Sequence, residues 1–357
     1  MDEQRVVLVT GVSGYWGSRV AQRLLDEPGF QVIGLDGEAP SEAIAGLDFV
    51  HADVRNPLLA ELLQSEGVDT VCHLAFQESR RLNEAAFDYN VMGTMKVIGA
   101  AAESGVRQLV WKSSTLVYGA GPDNTAFLKE DAPLLGNRDD ASIHYRHEIE
   151  AFLNGYRRQA PEMALTVLRF AHIVGPSAPT RLNRYLRQPL APMLLGFDPL
   201  LQVVHEDDVV EALVHAVVTG ADGCFNVAAE PPLPLLRIIG LAGKVPVPLL
   251  HPLAYRTRLG RISPLAPDFL RYRCVADLTA MREELGYSPQ YSGDEAIEAV
   301  AVHGRIKQYR LGTEAADYDR DRLRATIERR RRQREQSAPA GEQGAGNVAA
   351  KGESANG

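Results

Sequence analysis

Short runs of apolar, often β-branched residues recur through the first half of the chain, and helical spacings stand between them. Arg5–Thr10 is the first such run, and a helical pattern through Val20, Leu24 and Leu25 follows it. Strand-like runs return at Gln31–Asp36, Asp48–Ala52, Thr70–Leu74, Gln108–Lys112 and Leu165–Phe170, with helical stretches at Leu82–Glu103 and Ile143–Arg158. Runs without polar alternation are buried on both faces, and strands that alternate with helices pair in parallel through right-handed crossovers. The pattern therefore predicts an α/β fold with a Rossmann-type doubly wound parallel sheet. From about Pro176 the periodicity loosens and proline rises, as at Pro231, Pro232, Pro246, Pro248 and Pro252. A small irregular lobe is expected there, with Leu201–Val204 and Cys224–Val227 returning to the main sheet.

The expected division is a sheet domain over residues 1–175 with 201–228 rejoining it, and a lobe made of 176–200 and 229–312. A basic helix over 313–336 and a disordered tail over 337–357 follow. Asp319–Glu335 holds eight arginines against four acids, and the final stretch is small, polar and low in complexity. Such a tail buries too little apolar surface to offset its ordering entropy. The arginine run reads as a solvated helix end.

Composition narrows the classes. A formal net charge of −8 argues against nucleic acid as a partner, because a phosphate-binding surface carries a positive excess. No run reaches the ~18 apolar residues of a membrane span, and the acidic opening lacks the cationic start of a signal peptide. Cys72, Cys224 and Cys274 are far apart and odd in number, so they read as reduced thiols and not as a disulfide frame or metal site. His205, Glu206, Asp207 and Asp208 read as an acid-rich helix start and not as metal ligands. A cytoplasmic location is the expectation.

The sharpest chemical signal is Thr10-Gly11-Val12-Ser13-Gly14-Tyr15-Trp16-Gly17, with a strand leading in and a helix leading out. Glycine is needed where the chain turns tightly, where backbone approaches a pyrophosphate and where helix packs close to strand. The helix N-terminus then offers amides and a positive dipole end to the anion. Asp36 ends the next strand, 22 residues beyond Gly14. An acid there accepts from a ribose 2′-OH and repels a 2′-phosphate, which predicts NAD as cofactor.

Further segments follow in order: His51-Ala52-Asp53-Val54-Arg55, His73-Leu74-Ala75, Asn90-Val91 with Gly93-Thr94, and Ser113-Ser114 through Tyr118-Gly119. Leu168-Arg169-Phe170 with Val174-Gly175-Pro176, then Val204–Val209, Phe225-Asn226-Val227 and Glu284–Pro289, complete the set. With these motifs the chain resembles the extended short-chain dehydrogenase/reductases of the NAD-dependent epimerase/dehydratase type, over about residues 5–300. The resemblance implies cofactor contacts from Gly11, Ser13, Gly14, Tyr15, Trp16, Gly17, Asp36, Asp53, Val54, Leu74, Ala75 and Arg146. It implies Ser114 and Tyr145 as catalytic residues, a small polar substrate such as a nucleotide sugar, and a homodimer built on the helices Leu82–Glu103 and Ile143–Arg158. Asn90 reads equally as a helix-kink residue and as holder of a catalytic water.

The pattern breaks at the family's Tyr-x-x-x-Lys motif, where the tyrosine moves a proton and the lysine one turn later lowers its pKa. Four residues after Tyr145 stands Ile149. Another register pairs Ser142 with Arg146, and a third sets His144 opposite Glu148. None supplies both a phenol and a lysine. Two functions remain open on the sequence: an NAD-dependent oxidoreductase, epimerase or dehydratase with altered proton chemistry, and a catalytically silent NAD-binding regulatory protein.

Overall fold

The structure, a computed structural model, describes residues 4–159, 162–250 and 263–308, together with positions 323 and 327. Six strands form in the first half: β1 (Arg5–Thr10), β2 (Phe30–Asp36), β3 (Asp48–His51), β4 (Thr70–His73), β5 (Gln108–Ser114) and β6 (Ala164–Phe170). They lie in the order β3-β2-β1-β4-β5-β6, and Gly223–Val227 closes the sheet beside β6 as its seventh strand. Every pairing in this sheet is parallel. Strand order reverses at β1, and in such sheets ligands bind outside the carboxyl ends of the strands at that switch point.

Burial on both faces explains the unbroken apolar runs. Val7 and Val9 pack on one side with Val20 and Leu24 of the helix Tyr15–Leu25, while Leu8 packs on the other with Leu63 and Ile98. A separate cluster around Val174, Leu182, Tyr185, Ile238 and Ile297 forms the core of the smaller lobe.

Two expectations are corrected. Leu201–Val204 does not join the main sheet: Leu200–Leu201 pairs antiparallel with Leu233–Pro234, and Val203–His205 pairs parallel with His172–Val174. The edge beside β6 is already taken by Gly223–Val227, and the Gln202 amide instead binds the main chain of Ala276. The helix expected over Leu82–Glu103 is three pieces: Glu84–Phe87, a π-helical turn Asp88–Met92, and Gly93–Glu103. At that bulge Asn90 binds both the amide and the carbonyl of Gln77, so its side chain is spent on backbone.

Met1–Gly304 forms one compact unit and Arg305–Gly357 a second. Of the basic stretch 313–336 only positions 323 and 327 are described, both helical, and the tail 337–357 lies outside the described residues. The three cysteines are unpaired thiols. No described helix is long and apolar enough to cross a membrane.

Candidate active site

The glycine loop follows β1 and opens the helix Tyr15–Leu25. Gly11 has φ +71°, and a Cβ there would stand 2.6 Å from the Ala75 amide nitrogen. A Cβ on Gly17 would collide with the Gly11 carbonyl. Gly14 differs, since its Cβ would meet only the Gly11 carbonyl at 3.2 Å. Gly11 and Gly17 thus serve close packing, whereas Gly14 leaves the loop's outer face open. Gly14 is also the N-cap and offers no side-chain acceptor, so the first-turn amides are left to an anion.

Asp36 accepts from the Ser13 amide at 3.0 Å, which ties the loop to the end of β2. Asp53 is bound by the amide and guanidinium of Arg55, with Val54 buried behind it. Leu74 and Ala75 follow β4 and receive the loop. Tyr15 turns away from the loop's face: its hydroxyl donates to the buried Glu206 at 2.7 Å. His73 bridges the hydroxyls of Thr10 and Thr94 at 2.7 and 2.9 Å, and burial brings its imidazole down to about 4, so it stays neutral.

Beyond the loop, one cavity is lined by Trp16, Glu78, Lys112, Ser114, Ser142 and Arg146, with Arg181 and Arg184 at its lobe side. The helix Ala141–Gln159 determines which of its side chains reach it. Ala141, Tyr145, Ile149 and Leu153 recur every fourth residue and are all buried in the core against the sheet. Ser142, Arg146 and Glu150 form the adjacent stripe and meet polar partners. Residues four apart share a helix face, so burying the first stripe turns the second toward the cavity.

Tyr145 is therefore not where the sequence reading put it. Its hydroxyl donates to the Asn83 carbonyl at 3.0 Å and accepts from the Asn83 amide at 3.2 Å, and its ring packs edge-on against Phe87. A lysine at Ile149 would enter the core and not the cavity. Tyr145→Phe is expected to lower stability by about 1–3 kcal/mol through the lost bonds to Asn83, with NAD affinity unchanged. Thermal melts and a cofactor titration check this, and a lost affinity would return the phenol to the site.

Ser114 remains at the cavity, donating to the Phe170 carbonyl at 3.2 Å. Ser142 exchanges hydrogen bonds with the main chain of Ser79, at 2.7 and 2.8 Å. Arg146 is buried, binds Glu78 and the Ser142 carbonyl, and lies 4.1 Å over the Phe76 ring. Its Nε has no hydrogen-bond partner among the described residues. Partial desolvation works to raise the half-exposed Glu78 carboxyl, but the Arg146 guanidinium overrides it and holds it at about 2.

Sequence reading missed Lys112, Glu78 and His172. The signal for Lys112 was present: alternation along β5 puts it on the face of Ser114. Nothing local marks Glu78 or His172, which reach the cavity from a loop and from the short strand His172–Val174.

The sequence pattern of the NAD dependent epimerase/dehydratase family matches residues 7–228. The chain belongs to that family. As a member of this NAD-dependent epimerase/dehydratase family it is an NAD-dependent enzyme, and its loop carries the open glycine and uncapped amides that a dinucleotide needs. An uncharacterised protein of Mycobacterium tuberculosis is 35% identical over 310 residues, covering 82% of this chain and 82% of its own length. A UDP-glucose 4-epimerase of Mycolicibacterium smegmatis is 32% identical and covers 84% of this chain and 98% of its own. Among solved structures, a UDP-glucuronic acid 4-epimerase from Bacillus cereus in complex with UDP-glucuronic acid and NAD has TM-score 0.67 at 20% identity. That alignment covers 85% of this chain and 100% of the other, a likeness of fold.

Proposed function

We propose that this protein interconverts a hydroxyl and a keto group on a nucleotide sugar with NAD as cofactor. The observation that carries the reading is the cationic cavity beside the glycine loop, where Lys112, Arg146, Arg181 and Arg184 outnumber Glu78 and the Asp140 that Arg181 grips. Such a surface suits the diphosphate of a nucleotide sugar, and the curated relative from M. smegmatis acts in name on one. Ser13, Gly14 and Trp16 would hold the pyrophosphate, with Gly11 and Gly17 letting the loop pack close enough to receive it and Tyr15 bracing the loop from behind. Asp36 would take the ribose hydroxyls, Asp53 and Val54 the adenine, and Leu74 and Ala75 would wall the dinucleotide. The unpartnered Nε of Arg146 suits a ribose oxygen. Bound NAD supplies the hydride acceptor, and Ser114 polarises the substrate oxygen.

The silent-binder reading is favoured by one observation, the absence of a phenol among the described cavity residues, and family membership weighs against it. Incubation with UDP-glucose or UDP-glucuronic acid, followed by chromatography of the sugars, tests the proposal. NAD binding with no turnover of either would support the silent reading.

Cofactor choice gives a second check. Asp36 has one oxygen on the Ser13 amide, so it cannot swing away from a 2′-phosphate without loosening the loop. NAD is expected to bind at least tenfold tighter than its 2′-phosphorylated form, about 1.4 kcal/mol. Calorimetric titration of both would show it, and equal affinities would refute the role of Asp36.

We also place the protein in the cytoplasm as a homodimer. Of the apolar residues that these two helices carry beyond one face, Val91, Val97, Ile98, Ile149 and Leu153 are buried within the chain itself, and Phe152 is half-buried. The dimer reading rests on Phe152, the one of that set left partly open, together with exposed Met92.

A further inference from the structure

We propose that Lys112 is the general base of the hydroxyl chemistry, a lysine delivered from strand β5 in place of the tyrosine and lysine that the helix Ala141–Gln159 does not bring to the cavity. The inference rests on the NAD-dependent reading above and goes on to name the group that moves the proton. It starts from geometry. Residues two apart on a strand project from one face, so Lys112 and Ser114 open into the same cavity. The Lys112 Nζ lies 5.0 Å from the centre of the Trp16 ring and 5.9 Å from that of Phe170. Trp16 is in the first turn of the glycine-loop helix, so the amine stands between the cofactor loop and Ser114. It makes no hydrogen bond or ion pair among the described residues.

Arg184 and His172 aside, the other polar groups of the cavity are engaged. Ser142 gives its proton to the Ser79 carbonyl, Glu78 is held by Arg146, and Arg181 grips Asp140 through both guanidinium nitrogens at 2.5 and 2.7 Å. Guanidinium groups do not release protons in this pH range. His172 is the one competitor: its ring meets Phe269 edge-on, and enclosure, helped by Arg181, brings it down to about 4. An imidazole so weakly basic gains little from an alcohol proton.

The charged groups facing Lys112 are Arg146 from the long helix and Glu78 from the loop after β4. Enclosure strips water from the ammonium and Arg146 repels it, which outweighs the attraction of Glu78 and brings the amine to about 8. Free amine is then present near neutral pH, as a base requires. In the oxidation the substrate O–H bond breaks and its proton passes to the Nζ lone pair, giving the ammonium. The adjacent C–H bond breaks, and its electron pair leaves with the hydrogen as hydride to NAD. The alcohol is oxidised to a ketone and NAD is reduced, and reversal returns both proton and hydride.

The test uses the full chain and two kinds of readout. Trace acetylation with acetic anhydride across pH, followed by peptide mass spectrometry, reads the Lys112 amine directly. A midpoint near 8 is expected, and one at the ordinary lysine value of about 10.4 would overturn the assignment. Lys112→Met and Lys112→Arg are each expected to slow turnover of UDP-glucose or UDP-glucuronic acid by about 10²–10⁴-fold. Both should melt no lower than the wild type and still bind NAD by titration. The wild-type rate should rise about tenfold per pH unit below 8 and level above it, and both variants should lose that rise. A Lys112→Met variant with the full rate and profile sinks the base while leaving the cofactor reading intact, and so does a loss that follows His172→Gln instead. A wild type that binds NAD but turns over neither sugar sinks the catalytic reading and the base with it.

Discussion

Arg169→Met is expected to lower the stability of this protein by about 3–5 kcal/mol, the cost of breaking a buried ion pair and leaving one charge behind. Arg169 and Glu150 are 3% and 2% exposed, and the Arg169 Nε donates to Glu150 at 2.9 Å. The same carboxylate accepts the Ser113 hydroxyl at 2.5 Å, and Arg169 donates onward to the Tyr118 hydroxyl at 2.6 Å, which donates to Asn226 at 2.7 Å. Removing the cation leaves buried Glu150 with the Ser113 hydroxyl as its one remaining donor among the described residues, and leaves Tyr118 short of a partner. With a total stability of about 5–15 kcal/mol, the melting temperature should fall by about 10 °C. Glu150→Met together with Arg169→Met should recover part of the loss, because replacing both charges by apolar groups removes the desolvation penalty. A single variant within about 1 kcal/mol of wild type would mean that water reaches Glu150. The site depends on this pair as well. Glu150 is one turn beyond Arg146 and two beyond Ser142, so its bond to β6 fixes the rotation of the helix that presents them.

Gly11→Val is expected to abolish NAD binding and to lower stability together, whereas Gly14→Val should abolish binding with a smaller loss of stability. At Gly11 the backbone is in the left-handed region, which costs a side-chain-bearing residue about 1–2 kcal/mol. The new Cβ would also meet backbone atoms of Ala75 at 2.6 and 2.7 Å, and those cannot rotate aside. Relief requires the loop to part from the end of β4. At Gly14, φ is −79° and the added Cβ would meet one backbone atom, the Gly11 carbonyl oxygen at 3.2 Å, on the loop that a pyrophosphate must approach. Isothermal titration with NAD and thermal melts on the two variants separate these roles. Equal melting temperatures for both variants would contradict the close-packing role of Gly11.

Much of the architecture was written locally. Apolar runs such as Val6–Val9 fold as strands because both faces of a parallel sheet are buried, and the helices between them dictate the crossovers. The glycine loop and Asp36 were equally legible, since a turn at positive φ, a close approach and a strand-end acid each need a particular residue type. The return of Leu201–Val204 to the sheet was misread because strand character does not say which edge is free, and Gly223–Val227 held it.

The long helix beside the cavity shows the division most plainly. Ala141–Gln159 was recognisable as a helix, but Tyr145 and Ser142 both stand on stripes of four-residue spacing, and sequence alone does not rank them. Packing does: Tyr145, Ile149 and Leu153 fill the apolar space against the sheet, and Glu150 meets Arg169, a residue 19 positions away in the chain. The sequence by itself determined the main strands, the glycine turn between β1 and the first helix, and that Ile149 and not lysine stands four residues after Tyr145. Only the tertiary structure decided that Lys112, Ser114 and Arg146 share one cavity, because that depends on a helix rotation set by burial and by one buried ion pair.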